Sequence, residues 1–244
     1  MVPELLTVIA MADGIYVAMS GAAARSEELD AIADNLANAQ TPGFKASRPS
    51  FEAFLVQGAG DKAYTAAVAA GIDLRPGPAS RTENPLDLNP EDGAFLAVAL
   101  PNGQRAYTRD GRLSLDAQRR LVQDGHPVLD RSGAAITLPP GASARITEDG
   151  AVRSGDITVG ELGLFRLSGA VDRLGKSLLV TGPTSRATPV RAQVRTGEVE
   201  LGNGGMLDGM VQLVSAQRHF ESAMQALQTY RTMDGRGADL GRVR

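Results

Sequence analysis

Apolar residues recur at a helical period near the two ends of the chain and at a strand period between them. Ile15, Met19, Ala22, Ser26, Leu29, Ala33 and Leu36 alternate four and three apart, and Ile32 widens the stripe. Arg25, Glu27, Glu28, Asp30 and Asp34 fall on the other side. The spacing predicts a helix over 15–38 with a coiled-coil-like seam that is thin, because it relies on Ala and Ser. A helix of this kind is marginal alone in water and needs a partner. Met206, Met210, Leu213, Gln217, Phe220, Met224 and Leu227 repeat the spacing near the far end, with Leu207, Val211 and Val214 beside them. That predicts a second helix from 206 to about 233, broken at Gly235-Arg236-Gly237.

The first helix has a marked stop. Asn38 is an acceptable C-terminal cap, Pro42 disfavours α geometry at Thr41, and Gly43 can take the positive φ that ends helices. Phe44 follows at once, an apolar ring that must be placed somewhere. The chain turns here and the turn is pinned.

Between the helices the pattern changes twice. Residues 51–83 are punctuated by Gly58-Ala59-Gly60-Asp61 and Pro76-Gly77-Pro78, and read as a mostly extended connecting segment. Within it, 63–70 reads as a short helix or a small-residue linker. From 84 to 201, short β-type runs alternate with turn dipeptides: Asn102-Gly103, Asp110-Gly111, Asp124-Gly125, Ser132-Gly133, Asp149-Gly150 and Ser154-Gly155. This predicts an all-β, hairpin-rich domain. The expected fold class is mixed α and β, with long terminal helices pairing as a coiled-coil-like layer around a central β-domain. Its segments are 1–50, 51–83, 84–201 and 202–244.

Composition narrows the function classes. Of 244 residues, 43% are hydrophobic and 22% charged, which suits a soluble globular chain. A net charge of −3 is too small to argue for nucleic acid or an anionic membrane surface. Aromatics make up 4% with no Trp, so a stacking platform lacks its usual material. Cysteine is absent, which removes disulfides, thiolate metal sites and a Cys nucleophile. No apolar run is long enough to span a membrane. The apolar opening at 1–10 has no basic leader region, so no cleavable signal peptide is expected, and a start at Met11 is an alternative.

Candidate chemistry is sparse. His126 and His219 stand alone, without a second ligand at metal spacing. No nucleophile elbow, phosphate loop or dinucleotide fingerprint occurs. Asp110, Asp124 and Asp149 are better read as turn formers than as acid–base groups. No enzyme, cofactor or metal is expected. The amphipathic helices remain. The acidic polar face of the first helix argues against a membrane surface, which leaves packing on each other or packing on other copies.

Several blocks carry a resemblance. Asn35-Leu36-Ala37-Asn38 with Thr41-Pro42-Gly43-Phe44-Lys45 resembles the N-terminal signature of the bacterial flagellar rod, hook and hook-associated axial proteins. The blocks Asn84-Pro85-Leu86-Asp87-Leu88, Tyr107-Thr108-Arg109-Asp110-Gly111 and Asp124-Gly125-His126-Pro127-Val128-Leu129 are similar to that family's central domain. Val199-Glu200-Leu201-Gly202-Asn203 and Ala216-Gln217-Arg218-His219-Phe220-Glu221 resemble its C-terminal block. The stretch from Gly14 to Phe54 looks most like the proximal-rod branch, with the distal-rod branch as the alternative. Two departures stand out: Arg119 and Glu83 occupy positions where the family commonly has glycine.

The resemblance implies a noncatalytic subunit, exported by the flagellum's own type III apparatus, that polymerises with itself and other rod subunits in the periplasm. It would form part of a torque-transmitting shaft, terminal helices inside and β-domain outside. The implied assembly residues are Leu29, Ile32, Asn35, Leu36, Asn38, Pro42, Gly43 and Phe44, with Met210, Leu213, Phe220 and Leu227 on the second helix. A stand-alone periplasmic wall-binding protein, or an export chaperone or cap, would be the competing classes.

Overall fold

The computed structural model describes the backbone of residues 3–55, 63–141 and 143–241, and the side chains of residues 18–48, 71–141 and 143–233. Two long helices, α1 (Pro3–Ala37) and α2 (Met206–Gly241), flank a strand-rich middle. The fold class is therefore mixed, as the two periodicities require. The chain divides into two compact units. One gathers α1 as far as Asp34, residues 47–70 and α2; the other comprises Asn35–Ala46 with Gly71–Gly205.

Three expectations are corrected. Residues 63–70 are neither helix nor featureless linker: Ala63–Ile72 is a strand paired with Ser47–Leu55. Pairing and the β-branched Thr65 and Val68 override the helix propensity of the alanines. The second helix does not break at Gly235–Gly237 but continues to Gly241. Each glycine costs about 1 kcal/mol relative to alanine, but no proline follows to stop the helix. The third correction concerns Asp110-Gly111, which does not close a hairpin. The strands on either side, Arg105–Thr108 and Leu113–Leu115, belong to different sheets. Gly111 is needed for close approach, since a Cβ there would overlap the carbonyl oxygen of Leu88.

The second unit is built on a six-stranded antiparallel sheet. Its order is Val171–Leu174, Leu178–Thr181, Arg105–Thr108, Phe95–Ala99, Leu164–Ser168 and Arg186–Pro189. The central strand Phe95–Ala99 is covered on both faces. Leu96 and Val98 join a core with Leu88, Leu113, Leu121, Val128, Ile136, Val152 and Leu162. Phe95 and Ala97 face the other way, toward Tyr107, Leu129, Phe165, Leu167 and Leu179. Three-stranded sheets at 113–127 and 144–161 close the first of these cores.

Most predicted hairpin glycines do take positive φ: Gly103, Gly125, Gly133, Gly150 and Gly155. Arg119 does too, at φ 60, at one of the positions where the resemblance leads one to expect glycine. The turn it makes is intact, with Arg119 N donating to Asp116 O at 2.9 Å and Leu138 N to Arg119 O at 2.9 Å. The backbone strain of a left-handed non-glycine residue is carried by the surrounding bonds.

Candidate functional site: a buried charged junction

Two non-local strand pairs bring the far end of the β-chain back to its beginning. Val194–Thr196 pairs with Leu88–Pro90, and Glu198–Glu200 with Ala79–Arg81. The second pair delivers Glu200 into the interior beside the helix-stop turn. Glu200 is 1% exposed, and the two cations that meet it, Lys45 and Arg109, are both 2% exposed. Lys45 Nζ donates to Glu200 Oε1 at 2.6 Å and to the carbonyl of Arg75 at 2.7 Å. Arg109 grips the other carboxylate oxygen through Nε at 2.8 Å and through Nη2, and gives Nη1 to the carbonyl of Ala94. Gly77 N completes the set, donating to Glu200 Oε1 at 3.1 Å. Both cations also lie 5.7 Å from the centre of the Phe95 ring.

Burial by itself would raise the Glu200 carboxyl. Hydrogen bonds and charge from Arg109, then charge and a hydrogen bond from Lys45, outweigh it and hold the group below the usual carboxylate range. Burial dominates at Lys45, whose ammonium is pushed below its ordinary value despite the pull of Glu200. The carboxylate is thus ionised at neutral pH and fully engaged. It serves as a counter-charge, with no free face for a substrate. Among the described residues no group of three or more His, Cys, Asp or Glu side chains is placed to hold a metal.

Around the charges the chain is stapled. Asn203 Oδ1 accepts from Ala46 N at 2.6 Å, while its Nδ2 donates to the carbonyls of Asp73 and Arg75 at 2.7 and 2.9 Å. Asp73 N donates to Ala46 O at 2.8 Å, and Gly43 N to Glu200 O at 2.8 Å. Glycine permits the crowding: a Cβ on Gly77 would overlap Leu201 O, and one on Gly202 would meet the Asn38 carbonyl. Gly204 lies against Asn35, whose carbonyl would stand 3.3 Å from an added Cβ. The four points where the chain passes between units, at 34/35, 46/47, 70/71 and 205/206, therefore all leave the second unit around this junction.

The sequence-predicted site residues separate into two groups. Asn35, Leu36, Asn38, Pro42, Gly43 and Phe44 belong to the junction. Asn38 there accepts from Thr41 N at 2.9 Å and, through Oδ1, from Thr41 Oγ1 at 3.1 Å. Phe44 is 0% exposed, with the Arg173 guanidinium 4.3 Å above its ring and donating to the Lys45 carbonyl. Gly43 packs on the backbone of Asp110. Leu29, Ile32, Met210, Leu213, Phe220 and Leu227 belong to the helical unit instead. Ile32 and Leu227 are buried, Leu29, Leu213 and Phe220 half-buried, and Met210 exposed. Sequence reasoning missed Lys45, Arg109, Arg173, Glu200 and Asn203. The signal was present as single charges inside apolar runs, Phe44-Lys45-Ala46 and Val199-Glu200-Leu201.

Family models match three stretches of the chain, two of which contain Lys45 and Arg109 of the junction. Residues 15–45 match the flagella basal body rod protein family. Residues 92–154 match the flagellar hook protein FlgE/F/G D1 domain, and 206–240 the flagellar basal body rod FlgEFG protein C-terminal family. Among curated relatives, the flagellar basal-body rod protein FlgF of Mesorhizobium japonicum is 37% identical over 220 residues, covering 87% of this chain and 90% of the relative. FlgF of Escherichia coli is 32% identical over 249 residues, covering 94% and 98%. The FlgG protein of Buchnera aphidicola from Schizaphis graminum is 28% identical over 256 residues. With likeness running through helix, junction, β-domain and second helix alike, the chain belongs to the FlgF family of flagellar basal-body rod proteins.

Proposed function

We propose that this chain is a noncatalytic structural subunit of the flagellar basal-body rod, at its proximal level. It joins other rod subunits through its terminal helices and passes torque along the shaft. Its inner layer would be the paired helices and its outer part the β-domain. It would reach the periplasm through the flagellar export apparatus. No described helix is long and apolar enough to cross a membrane.

The observation that carries this reading is an uncovered apolar stripe on α2. Leu207, Met210, Val211 and Val214 are 79%, 48%, 72% and 50% exposed. At 3.6 residues per turn they fall on one side of the helix. Ala216 and Leu227 are buried, with Leu213 and Phe220 half-buried, on the opposite side. One side is thus satisfied within the chain while a contiguous apolar strip faces solvent, which is the mark of a surface awaiting a partner. Methionine at its centre suits packing against non-identical neighbours. The FlgG relatives make the distal level the alternative position for the same subunit role.

Purified hook–basal bodies probed for this chain should contain it in a salt-resistant form. The double variant Leu207→Asp with Val211→Asp should be absent from them while its melting temperature stays within about 2 °C of the parent, because exposed positions carry little folding energy. Normal incorporation of that variant would remove the stripe from the interface. Absence of the parent chain from complete basal bodies would remove the rod reading itself.

A further inference from the structure

Lys45, Arg109 and Glu200 place two positive charges and one negative charge inside the second unit. Glu200 is the one carboxylate to which either cation is bonded among the described residues. The segments that meet it have few other attachments. Residues 41–46 are held by the bonds from Gly43 N to Glu200 O and Ala46 N to Asn203 Oδ1, and by burial of Phe44. Residues 73–77 are held by Asp73 N to Ala46 O and Gly77 N to Glu200 Oε1. None of these bonds is a rung of the six-stranded sheet and the larger apolar core contains no residue of either segment, while Leu74 packs half-buried on the smaller core. From the edge strand of that sheet, Arg173 reaches over Phe44 and the Lys45 carbonyl as a strap.

We infer that the Lys45–Glu200–Arg109 triad is a catch. Segments 41–46, 73–77 and 200–204 dock and undock together, as one cooperative element, while the β-sheet core stays folded. Two features drive this. A buried cation without its counter-charge is strongly disfavoured, so loss of Glu200 acts on Lys45 and Arg109 at once. Asn203 bonds to Ala46, Asp73 and Arg75 together, so the three segments cannot leave one by one without stranding polar groups. In the rod, and resting on the rod reading, the catch makes alignment of the chain's crossings at 34/35 and 205/206 a step separate from folding of the β-domain. The catch itself stands without that reading.

Native-state hydrogen exchange on the free full-length chain tests it and needs no rod. In low denaturant the amides of Gly43, Ala46, Asp73 and Gly77 should open as a group, well before those of Ala97, Leu121 and Leu129. Glu200→Gln keeps the shape and removes the charge; it should speed exchange of the first group by roughly 100-fold while leaving the free-energy gap between that opening and global opening unchanged. Asn203→Ala should speed the same group less. A single opening shared by both groups in the parent chain would overturn the inference, as would unchanged protection in Glu200→Gln. A Glu200→Gln chain that failed to fold at all would also overturn it, by tying the triad to the core.

Discussion

Phe44→Ala should destabilise the second unit by about 3–5 kcal/mol, the range for deleting a fully buried aromatic side chain. The ring has no exposed surface, and its face is covered by the Arg173 guanidinium at 4.3 Å. Truncation leaves a cavity beside the buried charges, and the surrounding groups cannot collapse into it. Lys45 is fixed by Glu200, Ala46 by Asn203, and Gly43 by the Glu200 carbonyl. Phe44→Leu should cost far less, under about 2 kcal/mol, since most of the volume is kept. Urea unfolding of both variants, followed by near-ultraviolet signal from the unit's Tyr107, measures the difference. A loss below about 1 kcal/mol for Phe44→Ala would show the ring to be dispensable to the junction.

The sequence pattern was most legible where one physical demand acts alone. Asn102-Gly103 and Asp124-Gly125 announce their turns because only the local backbone decides them, and both glycines have positive φ. The helices were legible from period, but the thin seam of α1 was less so: Ala22 on it is buried, Met19 on it is exposed, and Ala24, off it, is buried as well. Gly111 was misread because the same dipeptide can serve a second demand, closeness to a distant carbonyl, which leaves no trace in neighbouring residues. The end of α2 was misread for the opposite reason, since a local breaker did not break.

The junction was half legible. Pro42, Gly43 and Phe44 advertise a pinned turn but not what pins it. Glu200 lies 155 positions from Lys45 and 91 from Arg109. No periodicity connects them, and only strand pairing of Glu198–Glu200 with Ala79–Arg81 brings the carboxylate inward. An isolated charge in an apolar run is a reason to look for an opposite one elsewhere, because a charge in such a setting is costly unless paired. Lys45 and Glu200 satisfy that description in the bare sequence. Asn203 does not, since one more Asn beside glycines reads as a hinge; its bonds make it a staple.

Gly43→Ala should be among the most damaging single-methyl additions in the chain, costing at least about 3 kcal/mol. Two costs combine there. The backbone sits at φ 70, where a side chain costs about 1–2 kcal/mol. The added Cβ would also overlap the backbone of Arg109 and Asp110, which no rotamer change can relieve. Asp110 N is itself fixed by its bond to Thr108 Oγ1 at 3.0 Å, so the turn cannot swing away without breaking it. Gly103→Ala supplies the comparison. Its φ is 79, yet no atom lies within 4 Å of an added Cβ. That variant should therefore pay the conformational cost alone, about 1–2 kcal/mol. The difference between the two in denaturant midpoint isolates the contact between the helix-stop turn and the Arg109–Asp110 backbone. Equal losses would mean that the turn gives way, and that Gly43 is required by its own backbone angle and not by what lies against it.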